Sequence, residues 1–307
     1  MARLVALLLT LAASVVAMQM PEGRVAANSS YVREGVRPVI GAAPYRGQFP
    51  HTVGIVADGT TTCSGALLSS RWVLTAAVCC YGYTYWDVWI GVQDMDTLED
   101  ERVTITSNIC TIHPGFDAST VNNWPKYNMA IVDLDCYVTG ASNYIRPAIL
   151  PTFADAGNYY ANQVGYFTGW GAAGGGFSRQ LLYSEMTSIG NCGAISFFIC
   201  GTTATGEVIG NGDYGGPLVQ QSDSGYTLIG IAGFSVPTSS WTVFTLVSPY
   251  LTWIEVVTSI MKFNNNPEDF HFPAEETLQK QWLSGFTKLI ACKYEGVVDD
   301  KTRLLAA

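Results

Sequence analysis

From Gly47 onward the chain is a succession of short apolar or alternating runs separated by turn residues. HTVGIVA (51–57), CSGALLS (63–69), RWVLTAA (71–77), WDVWIGV (86–92), RVTIT (102–106) and MAIVDL (129–134) come first. QVGYFTGW (163–170), TLIGIAGF (227–234) and TVFTLVS (242–248) follow. Gly, Asp, Asn, Ser and Thr fill the breaks. Many short strands with no helical repeat between them specify an all-β barrel or sandwich. GAAGGGFS (171–178) reads as a flexible loop by composition.

Helical periodicity appears only late. Leu251, Ile254, Val257 and Met261 fall on one helical face. NNNPED (264–269) interrupts the chain, and a second helix is expected from Pro273, with Glu275 and Glu276 in its first turn. Its apolar stripe is Leu278, Trp282, Phe286 and Leu289. The stripe packs on this protein's own surface or on a partner.

At the other end, one Arg precedes an apolar run from Leu4 to Val16, with the small residue Ala17 after it. This is the form of a secretory signal peptide over 1–17. The run is shorter than the ~20 residues that a bilayer span needs, which disfavours an anchor. The expected location is secreted, extracellular.

Formal net charge is −9. Between Pro38 and Met261 there are 6 basic residues (Arg46, Arg71, Arg102, Lys126, Arg146, Arg179) against 16 acidic ones. Nucleic acid and anionic membrane surfaces both require clustered Lys and Arg, so neither is an expected partner. Eight cysteines in a secreted chain point to disulfides. Their spacings, with three scattered histidines, fit no zinc pattern, so no metal and no cofactor is expected.

The stretch GQFPHTVGIVADGTTTCSGALLSSRWVLTAAVCC (47–80) resembles the start of a trypsin/chymotrypsin-family serine protease domain. IHPGF (112–116), YNMAIVDLD (127–135), TGWG (168–171), GNGDYGGPLV (210–219) and VSPYLTWI (247–254) resemble its later landmarks in the right order. Six landmarks in order make a specific match. The resemblance implies two packed six-stranded antiparallel β-barrels with a C-terminal helix over 38–261. A pro-segment (18–37) would precede them and a partly helical extension (262–307) would follow.

In that family a Ser attacks the peptide carbonyl, a His moves the proton, a buried Asp orients the His and backbone N–H groups hold the oxyanion. Here the LTAAHC motif reads Leu74-Thr75-Ala76-Ala77-Val78-Cys79, so Val78 occupies the base position. Asn128 occupies the acid position, and Tyr214 the nucleophile position within Gly212-Asp213-Tyr214-Gly215-Gly216. Valine accepts no proton, and asparagine lacks the charge that stabilises an imidazolium. A phenol of pKa about 10 with no neighbouring base is a poor nucleophile. None of His51, His113 and His271 stands at a motif position. Gly212 and Tyr214 supply the remnant of the oxyanion hole. The replacements imply a chain that is not an enzyme.

The specificity-pocket positions by the same resemblance are Val208, Gly233, Ser235 and Thr242, with Gly210 where a bridging Cys is usual. The pocket is expected to be apolar and partly filled. The activation junction falls at Arg37-Pro38, a poor cleavage site, so a largely uncleaved chain is expected. The resemblance pairs Cys63 with Cys79 and Cys192 with Cys200. Cys110 and Cys136, in neighbouring strands, are paired next. Cys80 and Cys292 remain, joined to each other, free or intermolecular.

YGYTYWDVW (81–89) sets five aromatics beside the base position, as core or as contact surface. Asn28-Ser29-Ser30 fits an N-glycosylation sequon. The functional expectation is a secreted binding or regulatory protein whose partner is a protease, an inhibitor or a cascade component. An active endopeptidase of unusual chemistry and a structural or storage protein of a secretion are the alternatives.

Overall fold

The computed structural model describes residues 41–120, 125–139, 142–173, 176–192, 197–236 and 240–259. The expected signal peptide and pro-segment, Asn28, the Arg37-Pro38 junction and the expected extension over 262–307 lie outside the described residues.

Two curled antiparallel sheets account for nearly all of the architecture. The first contains β1 (Thr52–Ala57), β2 (Thr61–Leu67), β3 (Trp72–Thr75), β4 (Trp86–Ile90), β5 (Val103–Ser107), β6 (Ile109–Ile112) and β7 (Ala130–Asp133). Their order is β5-β4-β1-β2-β3-β7-β6. β5 and β6 are separated by Asn108 alone, yet they lie at opposite edges of the sheet. They are the two halves of one bent strand, and that strand closes the sheet into a barrel of six. At the bend Ser107 Oγ donates to the carbonyl of Asp133 at 2.5 Å and accepts from Ile109 N at 3.1 Å. The hydroxyl thus satisfies the backbone where the ladder changes partner.

The second sheet repeats the device. β8 (Gly165–Gly169), β11 (Leu182–Met186), β12 (Ser188–Asn191), β13 (Phe198–Thr202), β14 (Pro217–Ser222), β15 (Gly225–Val236) and β16 (Trp241–Leu246) run in the order β11-β8-β14-β15-β16-β13-β12. β11 and β12 flank Thr187 and sit at the two edges. The expected loop at 171–178 instead holds a small hairpin, β9 (Ala172–Ala173) with β10 (Gly176–Phe177). Glycine-rich composition hid this short pairing.

Each barrel has its own core. Val53, Ile55, Leu67, Val73, Leu74, Val88, Ile90 and Ile131 fill the first. Phe167, Met186, Ile199, Leu218, Ile229 and Phe244 fill the second. β-Branched and aromatic residues suit such walls, because their side chains pack well on a pleated surface. Across the seam, Thr52 Oγ1 and Thr168 Oγ1 lie 2.7 Å apart and are buried. The chain ends its described course in α1 (Leu251–Thr258), whose Leu251 and Ile254 join the first core. Ser259, in the left-handed region at φ 59°, terminates it.

Candidate functional site at the barrel junction

The three motif positions come together from three turns. Val78 lies in a single 3-10 turn (Ala77–Cys79) directly after β3. Asn128 precedes β7, and Tyr214 precedes β14. Asn128 is fully buried, and its Oδ1 accepts the main-chain N–H of Val78 at 3.1 Å. Its Nδ2 has no hydrogen-bond partner. The preceding Tyr127 is held at φ 58°. Its ring stacks on His113 with centroids 4.9 Å apart and planes at 6°.

Tyr214 is half-buried and packs against both cores. Burial pushes its phenol above the ordinary tyrosine value, and the carboxyl of Asp213 pushes the same way. Its carbonyl oxygen accepts from Ser64 N at 2.8 Å. Ser64 also donates through Oγ to the carbonyl of Gly212 at 2.9 Å and accepts from Trp170 N at 3.3 Å. One side chain of β2 therefore ties the first barrel to both Trp170 and the loop at Gly212. Nothing in the sequence singled out Ser64, since a serine beside a cysteine has no motif of its own. Gly215 stands at φ 82°, and a Cβ there would lie 2.1 Å from Thr75 Oγ1, so only glycine lets this loop lie against β3.

Asp213 is buried without a cation beside it among the described residues. Its Oδ1 accepts from Gly171 N at 2.8 Å and its Oδ2 from Gly210 N at 2.9 Å. Burial outweighs these two bonds and raises the carboxyl to about 7. The approach is so close that a Cβ on Gly171 would fall 1.9 Å from Asp213 Oδ2.

The specificity-pocket positions are mostly interior. Val208 and Thr242 are buried, and Thr242 Oγ1 accepts from Ile209 N at 3.2 Å. Ser235 pairs with Thr242 across the ladder, one step past an irregularity at Gly233. Of the described histidines, His113 stacks on Tyr127. His51 is buried between Phe49 and Tyr226, and desolvation lowers its pKa to about 3. Among the described residues no group of three or more His, Cys, Asp or Glu is placed to hold a metal. No helix among them is long and apolar enough to cross a membrane.

Cys63 is joined to Cys79, and Cys192 to Cys200. Cys80 is joined to Cys110, which corrects the pairings Cys110–Cys136 and Cys80–Cys292. The 3-10 turn points Cys80 toward β6, leaving a Cα–Cα distance of 6.3 Å. Cys136 is also disulfide-bonded, and Cys292 lies outside the described residues. Of the aromatics at 81–89, Trp86 is buried and donates through Nε1 to the carbonyl of Cys79. Tyr81, Tyr83 and Tyr85 are only half-buried.

The family model described as Trypsin matches residues 38–254. Chymotrypsin of Phaedon cochleariae is 31% identical over 67% of this chain and 76% of its own length. Brachyurin of Leptuca pugilator is 28% identical over 69% of this chain and 94% of its own. A solved structure described as HL collagenase superposes with a TM-score of 0.62 at 24% identity, covering 72% of this chain and 98% of that one, and supports the two-barrel fold. These findings correct the expectation that the chain is not an enzyme. Its relatives are named as proteases, and replacements at Val78, Asn128 and Tyr214 do not by themselves remove it from that class.

Proposed function

The chain belongs to the trypsin family, and on that premise we propose that it is a secreted protein that engages other extracellular proteins through the junction of its barrels. A protease, a protease inhibitor or a component of an extracellular cascade is the partner. Tyr214 carries this reading. A half-buried aromatic wedged against both cores, with a polar tip, is the kind of side chain that anchors protein interfaces. Val208 and Thr242 support it, since their burial leaves recognition to the surface above the pocket rather than within it. The apolar leader and the disulfides support the extracellular setting.

The second reading is peptide-bond hydrolysis, favoured by the protease names of the relatives. One experiment separates the two. The purified full chain is incubated with its native secretion and, in parallel, with a fluorophosphonate probe and a peptide substrate library. Stoichiometric recovery of a protease, inhibitor or cascade protein, weakened at least tenfold by Tyr214→Arg, is the expected result. Probe labelling or turnover that disappears in Tyr214→Phe, with no such partner recovered, would replace binding by hydrolysis. Neither result would leave the structural or storage role.

A further inference from the structure

We infer that the ladder irregularity at Gly233 holds one buried water molecule that bonds Asn128, Thr245 and the carbonyl of Val243, joining the two barrels beside the Val78 position. Three observations converge there. β15 and β16 lose register between Ala232 and Phe234, so Gly233 sits at a bulge. Asn128 Nδ2 and Thr245 Oγ1 are polar atoms on residues with no solvent exposure, and neither has a hydrogen-bond partner. Both face the same point. A Cβ built on Gly233 would lie 3.6 Å from Asn128 Nδ2, 3.6 Å from Thr245 Oγ1 and 3.4 Å from the carbonyl oxygen of Val243.

The orientation of Asn128 is set independently. Its Oδ1 must face the donor Val78 N–H, so its NH2 must face Gly233. The occupant must therefore accept from that NH2, and it lies within reach of the Thr245 hydroxyl and the Val243 carbonyl. Water can accept from the NH2 and donate to either oxygen, whereas ammonium cannot accept and an anion cannot donate. Two to four polar partners are what a stably buried water needs, and this site offers three. Leaving two buried polar atoms unbonded would be far costlier than ordering one water.

The glycine makes the site testable. A Cβ on Gly233 meets only ordinary contacts, so both Ala and Ser fit. Gly233→Ser places a hydroxyl about where the water oxygen lies. Gly233→Ala displaces the water and replaces none of its bonds. The two variants share the same backbone effect and differ by one oxygen. Gly233→Ser is expected to melt about 2–4 °C or more above Gly233→Ala. Equal melting temperatures, or a higher one for Gly233→Ala, would overturn the inference. A high-resolution crystal structure of the unmodified chain decides the matter if either variant fails to fold. A solvent peak within bonding distance of all three atoms supports the site. A direct bond between Asn128 and Thr245 sinks it.

Discussion

Asn128 holds the main chain of Val78, with its Oδ1 3.1 Å from the Val78 amide nitrogen across fifty residues of sequence. The bond anchors the 3-10 turn after β3 to the entry of β7, and the disulfide Cys63–Cys79 anchors the same turn to β2. The turn therefore keeps its place without an imidazole at position 78. Asn128→Ala removes the acceptor of a part-buried N–H and is expected to cost about 1–3 kcal/mol in denaturant unfolding. Asn128→Asp keeps the acceptor but buries a charge, which raises the carboxyl pKa. Its melting temperature should fall relative to the parent as pH rises above about 4. A flat difference between the two proteins over that range would contradict this account.

Asp213 sets a second pH dependence. Its folded pKa of about 7 lies above the ordinary 3.8, so the folded state binds the proton more tightly. That contribution is complete below 3.8 and is lost as pH rises toward 7. His51 acts in the opposite sense. Its folded pKa of about 3 lies below 6.5, so its contribution is present above 6.5 and is lost as pH falls. The two slopes oppose each other between pH 4 and 6.5 in the parent chain. Asp213→Asn should be less stable overall, and its melting temperature should climb with pH across that window. A slope unchanged from the parent would show that the Asp213 carboxyl is not perturbed.

Arg71 and Asp133 form a paired bond at the foot of the first barrel. Nε lies 2.6 Å from Oδ1 and Nη2 lies 2.8 Å from Oδ2. Asp133 Oδ1 also accepts from Asp135 N, so the carboxylate is used on several sides. Arg71 is 29% exposed at its side chain and Asp133 10%, which spares the pair much of the screening of an open surface. Arg71→Lys loses the planar fork and is expected to cost about 1 kcal/mol, and Arg71→Ala about 2–3 kcal/mol. Chemical denaturation of the two variants side by side checks the ranking. An Arg71→Lys variant as stable as the parent would mean that charge, not geometry, carries the pair.

The Cys80–Cys110 bond closes a separation of 30 residues. In the chain-entropy picture it contributes about 3–4 kcal/mol, so Cys80→Ser with Cys110→Ser should lower stability by that order. Non-reducing peptide mapping should recover the Cys80 and Cys110 peptides as one species. Recovery of a peptide joining Cys110 to Cys136 would overturn the assignment.

The strands were legible in the sequence because each carries its own signal, whereas their division into two barrels was implied only by the family resemblance. Alternation in WDVWIGV, the apolar MAIVDL and the turn residues between them need no distant partner to be read. Membership of the trypsin family was legible for a related reason, since its landmarks are local strings in a set order. The residues at Val78, Asn128 and Tyr214 could be named from those strings alone. What they do could not. That Asn128 turns its oxygen to Val78 and its NH2 to Gly233 depends on two barrels meeting. The Cys80–Cys110 pairing and the raised carboxyl of Asp213 likewise depend on which turns face each other and how much water they exclude. Sequence determined the strands, the family and the side chains at the site, because those are properties of short stretches of chain. Only the tertiary structure decided their partners and their protonation, because hydrogen bonds, disulfides and desolvation act between segments far apart in sequence.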